Sequence, residues 1–212
     1  MSDVSRSAGR REDILEAAAH VFVERGFDAA TTRDIGERAG LLSGSLYHHF
    51  ATKEEMLFAL VRDVYTGVLS SVESLDEARG TCADRLRLLV DIHVRHLIGN
   101  LARTTLSLHE FRSLTEEHRA VIAEAENRYV RIVADLIEGG RLDGSIRADI
   151  DPGLARLTLL GAANWVYRWY RPGGEHTPEE IAAGIASLTV DGLAVEGTQH
   201  PESGGHVASL HG

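Results

Sequence analysis

Residues 43–49 combine small side chains with hydroxyl and imidazole groups, a set that could read DNA. In a helix that starts near residue 43, Leu46 and Phe50 point to one side and the polar side chains point elsewhere. Serine and glycine allow close approach to base edges, and tyrosine and histidine can donate hydrogen bonds to phosphate oxygens. The residues that we expect to contact DNA from this helix are Ser43, Gly44, Ser45, Tyr47 and His49.

A short bracing helix must precede this DNA-contacting helix. Thr31 or Thr32 can cap the bracing helix, and Asp34 lies in its first turn, where a carboxylate suits the helix dipole. Gly40 supplies the flexible residue that ends this helix. Two short helices joined by a tight turn predict a helix-turn-helix over residues 31–53, in which Thr32 and Arg33 meet phosphate from the start of the bracing helix.

The net charge of −10 argues at first against a nucleic-acid partner, and residues 1–55 carry seven Lys or Arg against ten Asp or Glu. Because the field of a charge decays over about 8 Å at physiological salt, local placement matters more than the total. Arg6, Arg10 and Arg11 form a basic arm, while Arg33 and Lys53 flank the helix-turn-helix. We therefore expect specific binding to a double-stranded DNA operator with modest electrostatic affinity.

Composition and motifs exclude several other classes of protein. No apolar run approaches the roughly 18 residues of a membrane span, and no secretory signal follows the first arginines. The single cysteine, Cys82, excludes an internal disulfide and fits a reducing compartment, with a packing role expected. No nucleophile elbow, phosphate loop, dinucleotide fingerprint or zinc spacing is present. We predict a cytoplasmic protein that is not an enzyme, needs no cofactor and contacts no membrane.

Helical periodicity and capping residues predict an all-α chain. We expect a disordered arm over residues 1–9, a three-helix DNA-binding domain over 10–55, a larger helical ligand-binding and dimerisation domain over 56–195, and a disordered tail over 196–212. Thr52 and Glu55 predict a capping box for a helix over 53–72. In the larger domain the expected helices cover residues 82–99, 101–113, 115–140, 152–170 and 177–194, the third ending at Gly139-Gly140.

Residues 10–56 resemble the amino-terminal domain of the TetR family of transcriptional regulators. The run Gly-Ser-Leu-Tyr-His-His-Phe at 44–50 is highly specific for that family. The resemblance implies an all-helical homodimer with a variable regulatory domain that usually carries a small-molecule pocket. It also implies that Tyr47, His49 and Lys53 touch the DNA backbone, and that His48 is half-buried support. The matching residues are Ile14, Ala17, Ala18, Phe22, Gly26, Phe27, Thr31, Thr32, Asp34, Ile35, Ala39, Gly40, Gly44, Leu46, Tyr47, Phe50, Lys53 and Met56.

Aromatic residues crowd residues 165–170 beside Arg168 and Arg171, which ordinary core and dimer packing would also explain. The segments 164–174 and 42–50 resemble an actinobacterial TetR subgroup that controls steroid-ring and fatty-acid catabolism and responds to acyl-CoA thioesters. The resemblance implies an acyl tunnel and a nearby CoA site. The residues expected to bind this effector are Leu89, His93, Leu108, Phe111 and Trp165 along the tunnel, Arg168 and Arg171 beside the CoA headgroup, and Trp169 in the same aromatic cluster.

Three alternatives remain open at this level. His93, His96 and His109 could bind a metal, but a metal needs three or four convergent ligands and no further ligand motif accompanies them, so we expect no metal site. The protein could be an activator or an architectural DNA-binding protein without ligand control, or an all-helical enzyme. The leading prediction is a ligand-released homodimeric repressor. Its expected four-helix interface involves residues 152–170 and 177–194, with Leu157, Leu160, Ile181, Ile185 and Leu188.

Overall fold

The computed structural model describes residues 3–41, 43–73, 75 and 79–195 of the chain. The described residues form an all-α fold, which confirms the predicted fold class, with a single isolated β-bridge between Ile146 and Ala194. The helices are α1 (Asp3–Arg25), α2 (Thr32–Arg38), α3 (Ser43–Tyr47), α4 (Lys53–Val72), α5 (Cys82–Gly99), α6 (Leu101–His109), α7 (Glu116–Asp143), α8 (Pro152–Trp169) and α9 (Pro178–Ala186). Among the described residues, no helix is both long and apolar enough to cross a membrane.

The first three helices and the start of α4 form a small unit that we call the head. Its core takes one apolar stripe from α1 and single anchors from the two short helices, because residues spaced three or four apart share a helix face. Ile35 of α2 and Leu46 of α3 are each 0% exposed in the head core, where α2 packs on α1 and α3 packs on α2. The other main core residues are Ile14, Leu15, Ala18, Phe22, Met56, Leu57 and Leu60.

Local caps set the ends of the head helices. The Thr31 hydroxyl accepts a hydrogen bond from the Asp34 N–H, and the Asp34 carboxylate accepts one from the Thr31 N–H at 3.0 Å, a complete capping box. Gly40, at φ 66°, turns the chain after α2 as expected. At α4 the box is only half formed. Thr52 caps the Glu55 N–H, but the Glu55 carboxylate accepts from Ala51 at 2.8 Å.

Helix α4 connects the head to the larger domain, which we call the body. Residues 56–61 of α4 pack in the head, and Val68, Leu69 and Val72 pack in the body core. The boundary expected between residues 55 and 56 therefore falls inside a continuous helix. The body core is built around α5, with Leu86, Leu89, Val90 and Val94 fully buried against α7, α8 and α9.

The predicted end of α7 at Gly139-Gly140 is wrong, since the helix continues to Asp143 and ends at Gly144, which has φ 79°. The two glycines permit close packing. A Cβ on Gly139 would lie 2.9 Å from the Cys82 Sγ, and one on Gly140 would lie 2.6 Å from the Ile146 Cδ1. Cys82 is buried there, which fits its expected packing role.

Two other helix ends differ from the prediction. Helix α1 begins at Asp3, so the disordered arm expected over residues 1–9 is wrong for residues 3–9. No proline interrupts that polar stretch, and the backbone hydrogen bonds of α1 extend through it. The last α-helix ends at Ala186 and is followed by a short π-helix over Ser187–Asp191, after which Ala194 pairs with Ile146. The tail predicted over 196–212 lies outside the described residues.

Candidate nucleic-acid interface and buried cavity

Helix α3 presents a polar surface because its Leu46, together with Phe50 just after the helix, points inward. Leu46 is 0% and Phe50 4% exposed, which leaves Gly44, Ser45 and Tyr47 on the outside, the last with 55% of its surface exposed. His49 is partly exposed. The side chain of Ser43 lies outside the described part of the structure. His48, expected as half-buried support, is exposed, because the helix ends at Tyr47 and the chain turns there.

The start of α2 lies beside this surface. The Thr32 Oγ1 and the Tyr47 Oη are 3.3 Å apart, so the bracing helix and α3 bring their hydroxyl groups together. Arg33 projects into solvent with 82% of its side chain exposed and pairs with Glu37 at 2.9 Å. The predicted contact residues from both helices therefore share one exposed surface. We call Thr32, Arg33, Gly44, Ser45, Tyr47 and His49 the polar face.

Ion pairs neutralise several carboxylates in the acidic head. Asp34 pairs with Arg25 at 2.7 Å, and Glu24 pairs with Arg38 at 2.8 Å. The pKa of Asp34 is lowered by its hydrogen bonds with Thr31 and, less strongly, by Arg25, so this carboxylate remains ionised. Paired carboxylates repel a phosphate backbone less than free ones, because the nearby cation cancels much of their field.

Lys53 has an intramolecular role that the sequence did not predict. Its Nζ donates hydrogen bonds to the backbone carbonyls of Phe27, Asp28 and Ala30 at 2.7, 3.0 and 3.1 Å, and lies 4.5 Å from the centre of the Phe27 ring. An ammonium has three N–H donors, so these carbonyls use all of them. A phosphate contact by Lys53 stays a prediction, and it would require the ammonium to leave at least one carbonyl.

A cavity of about 110 Å³ lies inside the body, between α4, α5, α6, α7 and α8. Its volume is well below the roughly 300–1,000 Å³ of typical small-molecule pockets. A bound ligand of ordinary size must therefore move the surrounding helices. The lining residues are Val64, Tyr65, Val68, His93, His96, Leu97, Thr104, Ser107, Leu108, Glu126, Tyr129, Val130, Leu160 and Asn164.

Hydrogen bonds hold a polar group in this largely apolar cavity. The His93 Nδ1 lies 2.7 Å from the Tyr129 Oη, and its Nε2 lies 3.1 Å from the Asn164 Oδ1. Because an amide oxygen only accepts, Nε2 carries the proton and Nδ1 accepts from the tyrosine. Burial lowers the pKa of His93 to about 4, so the ring is neutral at physiological pH. Burial and the nearby Glu126 charge raise the pKa of Tyr65 to about 12.

Of the residues predicted to line an acyl tunnel, His93 and Leu108 line this cavity. The other three do not. Leu89 is 0% exposed in the body core, Phe111 packs against the head core, and Trp165 is 59% exposed. The sequence-based prediction missed Thr104, Tyr129 and Asn164, which are polar residues on the helix faces that line the cavity.

The predicted CoA-contacting residues lie on the surface at the end of α8. Arg168 and Arg171 are both exposed, and the Arg171 Nη1 donates to the Tyr170 carbonyl at 2.8 Å. Trp169 and Arg171 line a shallow groove of about 270 Å³. This groove and the buried cavity share no lining residue. The residues that line the groove are Trp169, Tyr170, Arg171, Gly174, Glu175, His176 and Ile181.

Large apolar side chains remain exposed on α8 and after α9. Leu154, Leu157 and Leu188 are 64%, 59% and 84% exposed. Ile181, which we expected at an intersubunit interface, is instead buried in the body core at 6%, because α9 turns that side towards α5. Clustered exposed leucines are unusual on a monomer and are typical of an interface.

Direct contacts join the head to the body near the start of α7. The Glu54 carboxylate accepts from the Thr115 N–H at 2.9 Å and lies 2.8 Å from the His118 Nδ1. The His118 ring stacks on Phe58 with 3.7 Å between ring centres. Leu106 of α6 is buried in the head core. Movement of α4, α6 or α7 in the body would therefore reach the head through packed contacts.

Two protein families match this chain. "Bacterial regulatory proteins, tetR family" matches residues 14–60, and "Tetracyclin repressor-like, C-terminal domain" matches residues 79–193. The chain is also 36% identical over 197 residues to the HTH-type transcriptional repressor KstR2 of Rhodococcus jostii (strain RHA1), an alignment that covers 91% of this chain and 95% of that protein.

Solved structures agree with these matches. The ketosteroid transcriptional regulator KstR2 of Mycobacterium tuberculosis superposes with a TM-score of 0.83 at 30% identity, covering 88% of this chain and 96% of that one. AibR, solved in complex with isovaleryl coenzyme A and operator DNA, superposes with a TM-score of 0.75 at 27% identity, covering 85% and 98%.

Proposed function

Because the chain belongs to the TetR family of transcriptional regulators, as the sequence resemblance indicated, we propose that it is a homodimeric repressor released from its operator by a small hydrophobic effector. The observation that carries this proposal is the joining of two sites by α4. One end of α4 packs in the head that presents the polar face, and Val64, Tyr65 and Val68 further along line the buried cavity.

Helix α3 enters the major groove in this proposal. Gly44, Ser45 and the backbone of Ser43 approach base edges, and Tyr47, His49, Thr32 and Arg33 contact phosphate. The exposure of the polar face and the 3.3 Å contact between Thr32 and Tyr47 support the assignment. A dimer with two heads would read a pseudo-palindromic operator. The exposed leucines Leu154, Leu157 and Leu188 support an intersubunit interface formed by α8 and the segment after α9.

Effector binding would act by widening the cavity. At about 110 Å³ the cavity cannot hold an ordinary ligand without movement of its walls. Three of these walls, α4, α6 and α7, also contact the head. A ligand that binds better to the widened state shifts the heads away from the operator spacing. A tenfold release requires about 1.4 kcal/mol of difference in affinity between the two states.

We assign the effector to acyl-CoA thioesters of hydrophobic acids. The acyl group would occupy the cavity next to His93 and Leu108. The CoA phosphates would lie near Arg168, Trp169 and Arg171, since guanidinium groups bind phosphate well. Trp165, exposed on the same helix, would contact the nucleotide part. AibR was solved with isovaleryl coenzyme A, which supports this ligand class.

An experiment in two steps tests the proposal. Selection from a random DNA pool should first yield a pseudo-palindromic site bound by the dimer. That site is then used in gel-shift assays with acyl-CoA thioesters, the matching free acids and CoA alone. Release by the thioesters, and not by the free acids or by CoA alone, supports the proposal. Continued binding with every ligand would indicate regulation without an effector, and turnover of a ligand would indicate an enzyme.

A further inference from the structure

Most cations of the head are already bound to other groups of the same chain. Residues 1–55 carry seven Lys or Arg, of which the side chain of Arg6 lies outside the described part of the structure. Lys53 donates to three backbone carbonyls. Four arginines pair with carboxylates: Arg10 with Asp13 at 3.7 Å, Arg25 with Asp34 at 2.7 Å, Arg33 with Glu37 at 2.9 Å and Arg38 with Glu24 at 2.8 Å.

Arg11, the remaining cation, has no carboxylate or carbonyl partner among the residues that the structure describes. Its guanidinium lies 4.7 Å from the centre of the Phe50 ring. Attraction to a ring face uses the charge of a guanidinium and none of its five N–H groups, so those groups stay available to an anion. The adjacent carboxylates do not compete, because Glu12 pairs with Arg103 and Asp13 with Arg10.

The ring contact places Arg11 beside the end of α3. Phe50 directly follows His49 and comes three residues after Tyr47, and both of these belong to the polar face. The Phe50 ring is held in the head core at 4% exposed, whereas Arg11 is partly exposed. A fixed ring therefore holds a charged group within reach of solvent, next to the surface proposed to meet DNA.

We infer that Arg11 binds a phosphate of the duplex DNA backbone, close to the phosphates contacted by Tyr47 and His49. This inference rests on the proposed function for operator binding, and it adds a contact from α1 to those from α2 and α3. A guanidinium can bind two phosphate oxygens at once, which suits an arginine whose donors are free. Because phosphate carries no base identity, Arg11 contributes to affinity for every sequence and not to base preference.

The salt dependence of binding to the selected operator, followed by fluorescence anisotropy, tests the inference. Arg11→Met keeps an apolar stem over Phe50 and should make the slope of log K in log salt shallower by about 0.9. Arg11→Lys keeps the charge and should keep the slope. The matched control is Arg38→Met, which removes the same charge from the head. It should leave the slope unchanged, because both Glu24 oxygens hold the Arg38 guanidinium at 2.8 Å.

Neutral methylphosphonates, placed one at a time in the operator, provide a second readout. At one phosphate position they should weaken binding by the native protein and have no effect on Arg11→Met. The melting temperature of Arg11→Met should fall by at most about 4 °C, since only an exposed ring contact is lost. Arg11→Gln is measured in the same way, so a folding defect in one variant does not decide the result.

The outcomes separate the inference from the proposed function. If the variants bind the operator with an unchanged slope and an unchanged methylphosphonate pattern, Arg11 only packs on Phe50. That result would overturn the inference and leave the proposed function intact. If the native protein selects no DNA site at all, the proposed function fails and the inference fails with it.

Discussion

Replacing Lys53 separates a structural role from a phosphate contact. The Lys53 ammonium donates to three carbonyls of the turn between α1 and α2, at 2.7–3.1 Å. A hydrogen bond from a charged donor contributes about 1.5–3 kcal/mol, but partly exposed carbonyls regain water when it is lost. We therefore expect Lys53→Met, which keeps the apolar stem, to lower the free energy of unfolding by about 2–3 kcal/mol. Urea denaturation followed by circular dichroism measures this loss.

The salt dependence of operator binding provides the second readout. A lysine that touches phosphate makes log K steeper in log salt by about 0.9, and one that bonds only to its own chain does not. Because the three N–H donors of Lys53 are used within its own chain, we expect Lys53→Met to leave this slope unchanged, in contrast to the phosphate contact predicted from the sequence. Arg33→Met is the matched control, because Arg33 is 82% exposed at the polar face. It should cost less than about 0.5 kcal/mol of stability and make the slope shallower by about 0.9. Unchanged stability with a shallower slope in Lys53→Met would refute the structural role.

Three further predictions concern the dimer, the DNA surface and pH. Leu157→Glu, at a position 59% exposed, should give a monomer at micromolar concentration by light scattering, and a persistent dimer would place the interface elsewhere. Tyr47→Phe should weaken binding to all DNA sequences about fivefold, whereas Ser45→Ala should change base preference in a selection experiment. The reverse pattern would mean that Ser45 contacts phosphate and Tyr47 contacts bases. Burial lowers the pKa of His93 to about 4, from about 6.5 in the unfolded chain. The unfolded state therefore takes up the proton first, and stability should fall by at most about 3 kcal/mol as pH drops from 6.5 to 4, with a flatter profile in His93→Gln.

The local elements followed from the sequence because capping and periodicity are local. Thr31 and Thr52 cap their helices as expected, and Asp151 and Thr177 cap α8 and α9 close to the expected starts of those helices, each accepting a backbone N–H. The glycines at the end of α7 misled the prediction, because a glycine can end a helix or allow another residue to approach closely. Only the positions of Ile146 and Cys82 distinguish these two uses of glycine.

The functional surfaces were predictable to different degrees. The polar face followed from the spacing of Leu46 and Phe50, since two buried anchors determine which residues of a short helix point outward. The cavity could not be predicted from the sequence. Periodicity indicates that Leu89 and His93 point inward, but it cannot tell whether an inward side chain meets packed atoms or empty space. That distinction depends on how five helices fit together. The hydrogen bonds of Lys53 also depend on tertiary packing, because the carbonyls that accept them lie 23–26 residues earlier in the chain.

Calorimetry of one acyl-CoA thioester against the dimer, with and without its selected operator, tests the central claim most directly. Coupled binding sites change each other's affinity by the same factor, so a ligand that releases DNA must bind less tightly when DNA is present. The account predicts at least tenfold weaker thioester binding to the operator complex, which corresponds to about 1.4 kcal/mol of coupling. Equal affinity in the two titrations would contradict ligand-controlled release.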